Sequence, residues 1–198
     1  MSNLQSEILS FWFGPGDDPY RVAPEISKRW FAGGETFDDE IRDRYGDHLE
    51  RAIRGEYDDW AQSPSGRMAL ILVLDQFSRN LFRGSPRSWS QDLLAQRLTL
   101  QGMELGHDQA LRPVERTFFY LPLEHAEDLQ LQELSVQAYQ RLADDAPDDA
   151  GFDTTLDYAV RHQEIIERFG RFPHRNKIIG RPTTKEEAAF LEEPNSSF

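Results

Sequence analysis

Apolar residues in this chain recur every three or four positions, which is the spacing of one face of an α-helix. Residues 128–144 show the pattern most regularly, with Leu131, Leu134, Ala138 and Leu142 on one side. Alternation with a period of two, which marks a half-buried β-strand, nowhere extends beyond a few residues. The pattern therefore predicts an all-α fold, and the short connections between helices favour antiparallel helix pairs.

One helix is expected to lie at the centre of the core. Residues 68–77 are apolar on every side, as in a helix with neighbours all round it, and Ser63 with Pro64 supplies a helix start before them. The longest uninterrupted apolar run, residues 68–74, is far shorter than the roughly 20 residues that span a bilayer. We therefore predict a core helix here and no membrane partner.

Breaking and capping residues predict the ends of other helices. Pro122 is expected to end or kink the helix that Pro113 begins. Thr183 is followed three residues later by a glutamate, the spacing of a capping box, and is expected to open a short last helix. Residues 194–198 are expected to fray from a single helical domain that covers residues 1–198.

The net charge of the chain limits the classes of partner that it can bind. There are 35 acidic and 22 basic residues, which gives a net charge of -13, so the field of the molecule repels nucleic acids and anionic membranes. The chain contains no cysteine, which excludes thiolate catalysis and thiolate metal sites. The lack of cysteine and of a secretory signal predicts a cytoplasmic protein.

A first polar cluster lies where the central helix ends, and consists of Asp75, Gln76, Arg79 and Asn80. Asp75 and Arg79 are four residues apart and can pair on one helix face. Arg79 is also four residues from Arg83, and these two cations repel each other unless an anion lies between them. The cluster is either a buried helix end with internal pairs or part of an anion site.

The second cluster consists of Arg116, Glu124 and His125. Carboxylates beside His125 would favour its protonated form, so that it could act as an acid or a base near neutral pH. The same carboxylates can instead complement the dipole of the next helix. Because histidine and glutamate alone are a weak ligand signal, we predict neither a metal nor a cofactor.

The third cluster is a basic region within an acidic chain, with six Lys or Arg and two Glu in residues 161–181. His162 projects close to the apolar face of its helix. The loop after that helix carries Arg171, His174, Arg175 and Asn176. Guanidinium groups bind carboxylate or phosphate through two parallel hydrogen bonds, and they can equally pair with acidic groups of the same protein.

Six runs between Ile8 and about Leu191 resemble the DUF924 family of uncharacterised, mainly bacterial proteins: ILSFWFG, ISKRWF, LDQFSRNLFRG, RTFFYLPLEHAED, HQEIIERFGRFPHRNKIIGR and TTKEEAAFL. The resemblance implies a right-handed, tetratricopeptide-like array of helix pairs and no established reaction. It also places family motifs on the three polar clusters. The fixed period of tetratricopeptide repeats is not visible in the sequence, so the fold does not by itself imply a peptide groove.

The clusters are compatible with three functions, and we expect them to meet in one pocket. The first is a helical binding protein for a small anionic ligand or an acidic peptide end. The second is an enzyme that acts on a small anionic substrate with His125 or His162 as general base, and the third is a structural adaptor. In the first, the charge partners are Arg79, Arg116, Arg171 and Arg175, and the orienting donors are His125, His162 and Asn176. The sequence makes no prediction of oligomeric state.

Overall fold

The structure is a computed structural model that describes residues 3–16, 18–32, 34–194 and 196. All regular secondary structure in this part of the chain is helical, which confirms the all-α prediction. The α-helices are α1 (Asn3–Phe13), α2 (Pro24–Ala32), α3 (Gly34–Ile53), α4 (Pro64–Ile71), α5 (Ser78–Leu81), α6 (Asp92–Glu104), α7 (Pro113–Glu124), α8 (Leu129–Asp144), α9 (Phe152–Phe169), α10 (Asn176–Ile179) and α11 (Lys185–Phe190). Of the expected frayed tail, only Pro194 and Ser196 lie within the described residues.

The core is built around α4 and the segment that continues it. Every side chain from Met68 to Leu74 is at most 2% exposed, and Phe77 is fully buried. Helix α4 packs against α1, α6 and α7, while the segment after it packs against α3. The prediction of a central helix with neighbours on all sides is therefore confirmed.

The central helix is not a uniform α-helix over residues 68–77, as the sequence suggested. Its second half, Leu72–Phe77, is a π-helix that joins α4 to α5. Such wide turns are rare in proteins, and those that do occur lie frequently at functional sites. Asp75 lies in this segment, and its carboxylate reaches His125 just past the end of α7. The π-helix thus places a buried charge beside a polar loop.

Two predicted helix ends differ from the structure by one or two residues. Pro122 lies inside α7, which continues to Glu124. The capping box of α11 forms one residue later than predicted, at Thr184 instead of Thr183. Thr184 accepts a hydrogen bond from the backbone of Glu187 at 3.1 Å, and its own N–H donates to the Glu187 carboxylate at 2.7 Å. Because Thr183 and Thr184 are adjacent and both precede a glutamate by three residues, the capping-box spacing fits either of them. The packing of the chain selects Thr184.

Helices α7, α8 and α9 follow one another through short loops and pack together in sequence order. This packing is compatible with the predicted tetratricopeptide-like array, which stays a prediction. In the described part of the chain, no helix is both long enough and apolar enough to cross a membrane.

Removing either of two core leucines is expected to destabilise the protein. Leu72 and Leu74 are both 0% exposed, so Leu72→Ala and Leu74→Ala should each lower the free energy of unfolding by about 2 to 5 kcal/mol, measured in urea. Leu93, at 76% exposed, is the matched control, and Leu93→Ala should change stability by less than about 0.5 kcal/mol. Losses below about 1 kcal/mol at both buried positions would contradict the central placement of this segment.

Candidate functional site

A small cavity of about 90 Å³ lies at the junction of α5, the end of α7, α9 and the loop after α9. Seven side chains form its wall: Arg79, Trp89, His125, His162, Phe172, His174 and Arg175. The structure thus brings together members of all three polar clusters. The volume exceeds the roughly 10 to 15 Å³ that one water molecule needs, but it is far below the 300 Å³ or so of the smallest pockets for drug-sized ligands.

Asp75 anchors the polar cluster behind the cavity. It is 1% exposed, its carboxylate forms an ion pair with Arg79 at 2.9 Å, and it accepts hydrogen bonds from His125 at 2.9 Å and from Gln76 at 2.6 Å. Burial alone would raise the pKa of Asp75, but Arg79 and His125 outweigh that effect and hold the pKa below its ordinary range. Asp75 is therefore ionised at neutral pH and forms a buried ion pair with Arg79.

Asp92, the first residue of α6, is the second carboxylate of this cluster. Arg79 donates to both of its oxygens, at 3.0 and 3.2 Å, and Nη1 of Arg175 lies 3.4 Å from one of them. Burial acts to lower the pKa of Arg79, but Asp75 and Asp92 together raise it. Two arginines and two aspartates therefore balance one another, and the cluster has no net charge while its histidines are neutral.

Three residues of the site were not predicted from the sequence: Asp92, Trp89 and Phe172. The available signal was weak, because an acidic residue in the first turn of a helix is ordinarily a partner of the helix dipole. Only the tertiary packing of α6 against the segment Leu72–Phe77 shows that Asp92 faces Arg79.

Arg175 is the less completely paired arginine of the cavity wall. Its side chain is 9% exposed, and its guanidinium carbon lies 5.4 Å from the ring centre of Trp89 and 4.6 Å from that of Phe172. Nη2 donates to the backbone oxygen of His125 at 3.0 Å, the contact with Asp92 is long, and Nε has no hydrogen-bond partner among the described residues. Burial lowers the pKa of Arg175 to about 10, so the group stays charged at neutral pH. An oxyanion would complete its hydrogen bonding.

His125 places an acceptor nitrogen in the cavity wall. Because Asp75 is ionised, the imidazole proton of His125 is on Nδ1, which donates a hydrogen bond to Asp75. This leaves Nε2 as a hydrogen-bond acceptor. The expectation that nearby carboxylates favour the protonated form does not hold. Burial lowers the pKa of His125 and Arg79 lowers it further, and the two effects exceed the opposite effect of Asp75.

His162 and His174 are also neutral at neutral pH. Burial lowers the pKa of His162 to about 3 and that of His174 to about 4. Nδ1 of His162 donates to the backbone oxygen of Tyr158 at 2.8 Å, while Nδ1 of His174 has no partner within the part of the chain that the structure describes. Among the described residues, no three histidine or carboxylate side chains are grouped so that they could hold a metal ion.

Glu124 lies behind His162 and is protonated at neutral pH. It is 4% exposed, and its Oε1 lies 3.2 Å from Nδ1 of His162. This distance would suit an ion pair, but burial raises the pKa of Glu124 to about 8 while that of His162 stays near 3. Since both groups are neutral between these values, the contact is not an ion pair at neutral pH.

Glu127 fixes the loop that carries His174 and Arg175. Its carboxylate accepts hydrogen bonds from the backbone of Phe172 and from Arg181, both at 2.8 Å. Burial acts to raise the pKa of Glu127, but Arg181 and the Phe172 N–H lower it overall. The ionised carboxylate therefore ties the loop after α9 to the loop after α7.

Seven predicted site residues do not line the cavity. Asp75 and Glu124 lie behind it, and the side chains of the other five form hydrogen bonds with residues outside its wall. Gln76 donates to Asp75, Asn80 to Asp38 at 2.7 Å, Arg116 to Tyr120 at 3.2 Å and Arg171 to Glu187 at 2.6 Å, and Asn176 accepts from Arg181 at 2.9 Å. The charge roles predicted for Arg116 and Arg171 would therefore require a different conformation.

The positive charge of residues 161–181 is largely balanced by nearby acids. The ion pairs are Arg161 with Asp157, Arg168 with Glu186, Arg171 with Glu187 and Arg181 with Glu127. Internal pairing thus accounts for most of the basic cluster. Arg175 differs from these four arginines in that it lines the cavity.

Comparison with known proteins gives a family and a fold. Residues 8–195 match the family described as "Bacterial protein of unknown function (DUF924)". The solved structure of the protein of unknown function ATU0120 from Agrobacterium tumefaciens is similar to this chain, with 39% sequence identity and a TM-score of 0.82. The similarity covers 96% of this chain and 97% of that one. No curated protein matches the chain.

Proposed function

The chain belongs to the DUF924 family of bacterial proteins, and we propose that it is a helical binding protein that holds a small anion in the cavity lined by Arg175. The observation that carries the proposal is the state of this arginine. Its side chain is 9% exposed, yet no described residue forms a hydrogen bond with its Nε. A buried polar group without a partner costs free energy, and a bound oxyanion removes that cost.

The two arginines of the wall support different parts of this proposal. Arg79 lies between two carboxylates, so its charge is already neutralised by the protein. Arg175 shares Asp92 with Arg79 and approaches it at only 3.4 Å. The charge of Arg175 is therefore the one left for a ligand, and Arg79 with Asp75 and Asp92 forms the rigid support behind it.

The size of the cavity favours a small ligand over an acidic peptide. A volume of about 90 Å³ holds an ion of a few heavy atoms, and a peptide could place no more than its terminal carboxylate there. The net charge of -13 argues against nucleic acid as a partner, and the lack of cysteine supports a cytoplasmic location.

Replacing Arg175 tests the proposal directly. Acetate and inorganic phosphate at millimolar concentrations should raise the melting temperature of the wild-type protein. Arg175→Met keeps the apolar stem of the side chain and should weaken anion binding by roughly 10-fold or more, since a charged hydrogen bond contributes about 1.5 to 3 kcal/mol. Isothermal titration calorimetry measures the dissociation constants of the anion from the wild-type protein and from the variant.

The matched control is Arg171→Met, in the same loop but paired with Glu187. This variant should bind anions as the wild-type protein does. If Arg175 serves internal pairing alone, Arg175→Met should instead cost about 3 to 5 kcal/mol of stability, and no anion should change the melting temperature of any of the three proteins. That outcome would favour the structural adaptor.

One observation favours an enzyme as a second candidate. His125 donates Nδ1–H to the buried carboxylate of Asp75 at 2.9 Å, and Nε2 remains as an acceptor in the cavity wall. A neutral imidazole oriented by a carboxylate is the usual arrangement of a general base. In this proposal His125 removes a proton from a small anionic substrate that Arg175 holds.

Turnover of small carboxylic acids can be followed by proton NMR, with His125→Gln as the blank. The glutamine side chain of this variant would keep a donor for Asp75 but has no basic nitrogen. An enzyme should change the spectrum of at least one acid at a rate that the variant lowers by about 100-fold or more. Identical spectra with both proteins across the set would leave binding as the function.

A further inference from the structure

The cavity wall offers two kinds of recognition at neighbouring positions. Arg175 supplies a cationic donor, while Nε2 of His125 is an acceptor because Nδ1 donates to Asp75. The two residues are in direct contact, since Nη2 of Arg175 donates to the backbone oxygen of His125 at 3.0 Å. A simple anion such as acetate has acceptors only, so it can satisfy Arg175 and leaves Nε2 unsatisfied.

The charge balance of the wall limits the charge of the ligand. Asp75 and Asp92 face the two arginines of the wall, and only the pairing of Arg175 is incomplete, because its contact with Asp92 is long at 3.4 Å. A second negative charge on a ligand would therefore meet no further cation in a largely buried site, where unpaired charges are costly. The arrangement favours a monoanion over a dianion such as hydrogen phosphate.

The ligand group that donates a hydrogen bond to Nε2 of His125 should be uncharged. A cationic donor would be less favourable at this position. Asp75 and Asp92 are both engaged by arginine, so neither is left to neutralise an ammonium group. The guanidinium groups of Arg79 and Arg175 repel a third cation in the same cavity. A hydroxyl group donates one hydrogen bond without adding charge.

We infer that the cavity binds a small hydroxycarboxylate, whose carboxylate pairs with Arg175 and whose hydroxyl donates to Nε2 of His125. The inference rests on the proposed anion binding and adds the class of ligand. A cavity of about 90 Å³ favours a short ligand, in which the hydroxyl lies on the carbon next to the carboxylate. The apolar part of the ligand packs against Trp89 and Phe172, the aromatic side chains of the wall.

Four probes of similar size test the class on the wild-type protein: glycolate, acetate, glycine and inorganic phosphate. Acetate lacks the hydroxyl of glycolate, and glycine replaces it with an ammonium group. Dissociation constants come from calorimetry at pH 7, with thermal shifts as a second readout. Glycolate should bind about 10-fold more tightly than acetate, because a satisfied buried acceptor contributes roughly 1.4 kcal/mol, and glycine and phosphate should bind more weakly than glycolate.

Two variants test whether the preference for glycolate over acetate depends on His125. His125→Phe removes the acceptor and should bring glycolate to the affinity of acetate, while Arg171→Met should leave the roughly 10-fold difference unchanged. If acetate, glycine or phosphate binds as tightly as glycolate to the wild-type protein, the inference is overturned while anion binding stands. If none of the four binds, the proposed function fails as well. The wild-type comparison decides the ligand class even when a variant does not fold.

Discussion

Asp75→Ala is expected to lower the free energy of unfolding by about 3 to 5 kcal/mol, the usual effect of removing one partner of a buried ion pair. Asp75 is 1% exposed and holds both Arg79 and His125. Without its carboxylate, Arg79 keeps Asp92 as its anionic partner, and Nδ1 of His125 loses its acceptor. Urea unfolding at pH 7 measures the loss.

An exposed aspartate provides the control for this variant. Asp39 forms an ion pair with Arg42 on the surface of α3, and surface pairs contribute less than about 1 kcal/mol. Asp39→Ala should therefore have little effect. A loss below about 1 kcal/mol for Asp75→Ala too would mean that Asp92 alone satisfies Arg79, and that Asp75 does not anchor the site.

The stability of Glu124→Gln relative to the wild-type protein is expected to be higher at pH 8 than at pH 4.5. Burial raises the pKa of Glu124 from 4.5 to about 8. The stability that depends on the protonated carboxyl group is fully present below pH 4.5 and is lost as the pH rises through 8. By about pH 8 the loss amounts to about 4 kcal/mol in the wild-type protein, and glutamine, which cannot ionise, avoids it.

The difference in unfolding free energy between Glu124→Gln and wild type isolates this effect. His162 and His174, whose lowered pKa values reduce stability as the pH falls below 6.5, are present in both proteins, so their effects largely cancel. Glu127→Gln should behave in the opposite way and be destabilised at neutral pH, because the pKa of Glu127 is lowered. A pH-independent difference for Glu124→Gln would show that folding does not raise the pKa of Glu124, and a variant that is destabilised as the pH rises would show an ionised Glu124 paired with protonated His162.

Much of the fold could be predicted because it depends on local patterns. The extent of α8 follows from the periodicity of residues 128–144, and Asp128 caps this helix by accepting a hydrogen bond from the backbone N–H of Leu131 at 3.0 Å. Burial of residues 68–74 follows from a segment that is apolar on every side. The π-helix at Leu72–Phe77 has no local signal, since the same residues would also fit an α-helix.

The candidate site was only partly predictable. Sequence patterns singled out Arg79, His125, His162, His174 and Arg175, and the structure places these five residues in one cavity wall. The same reasoning marked Arg171 equally strongly, although it pairs with Glu187 on α11. Composition cannot separate two arginines of one loop, because the acid that each one meets comes from a distant part of the chain.

The sequence by itself determined the all-helical fold, the apolar centre and the segments that carry the polar groups, because helix periodicity and charge are properties of neighbouring residues. The tertiary structure alone decided which charges are paired and which groups are ionised. Asp92 comes to Arg79 through the packing of α6, and the protonated Glu124 and neutral His125 depend on loss of water when α7, α8 and α9 pack together. These properties follow from burial and from contacts between distant segments, which local sequence does not encode.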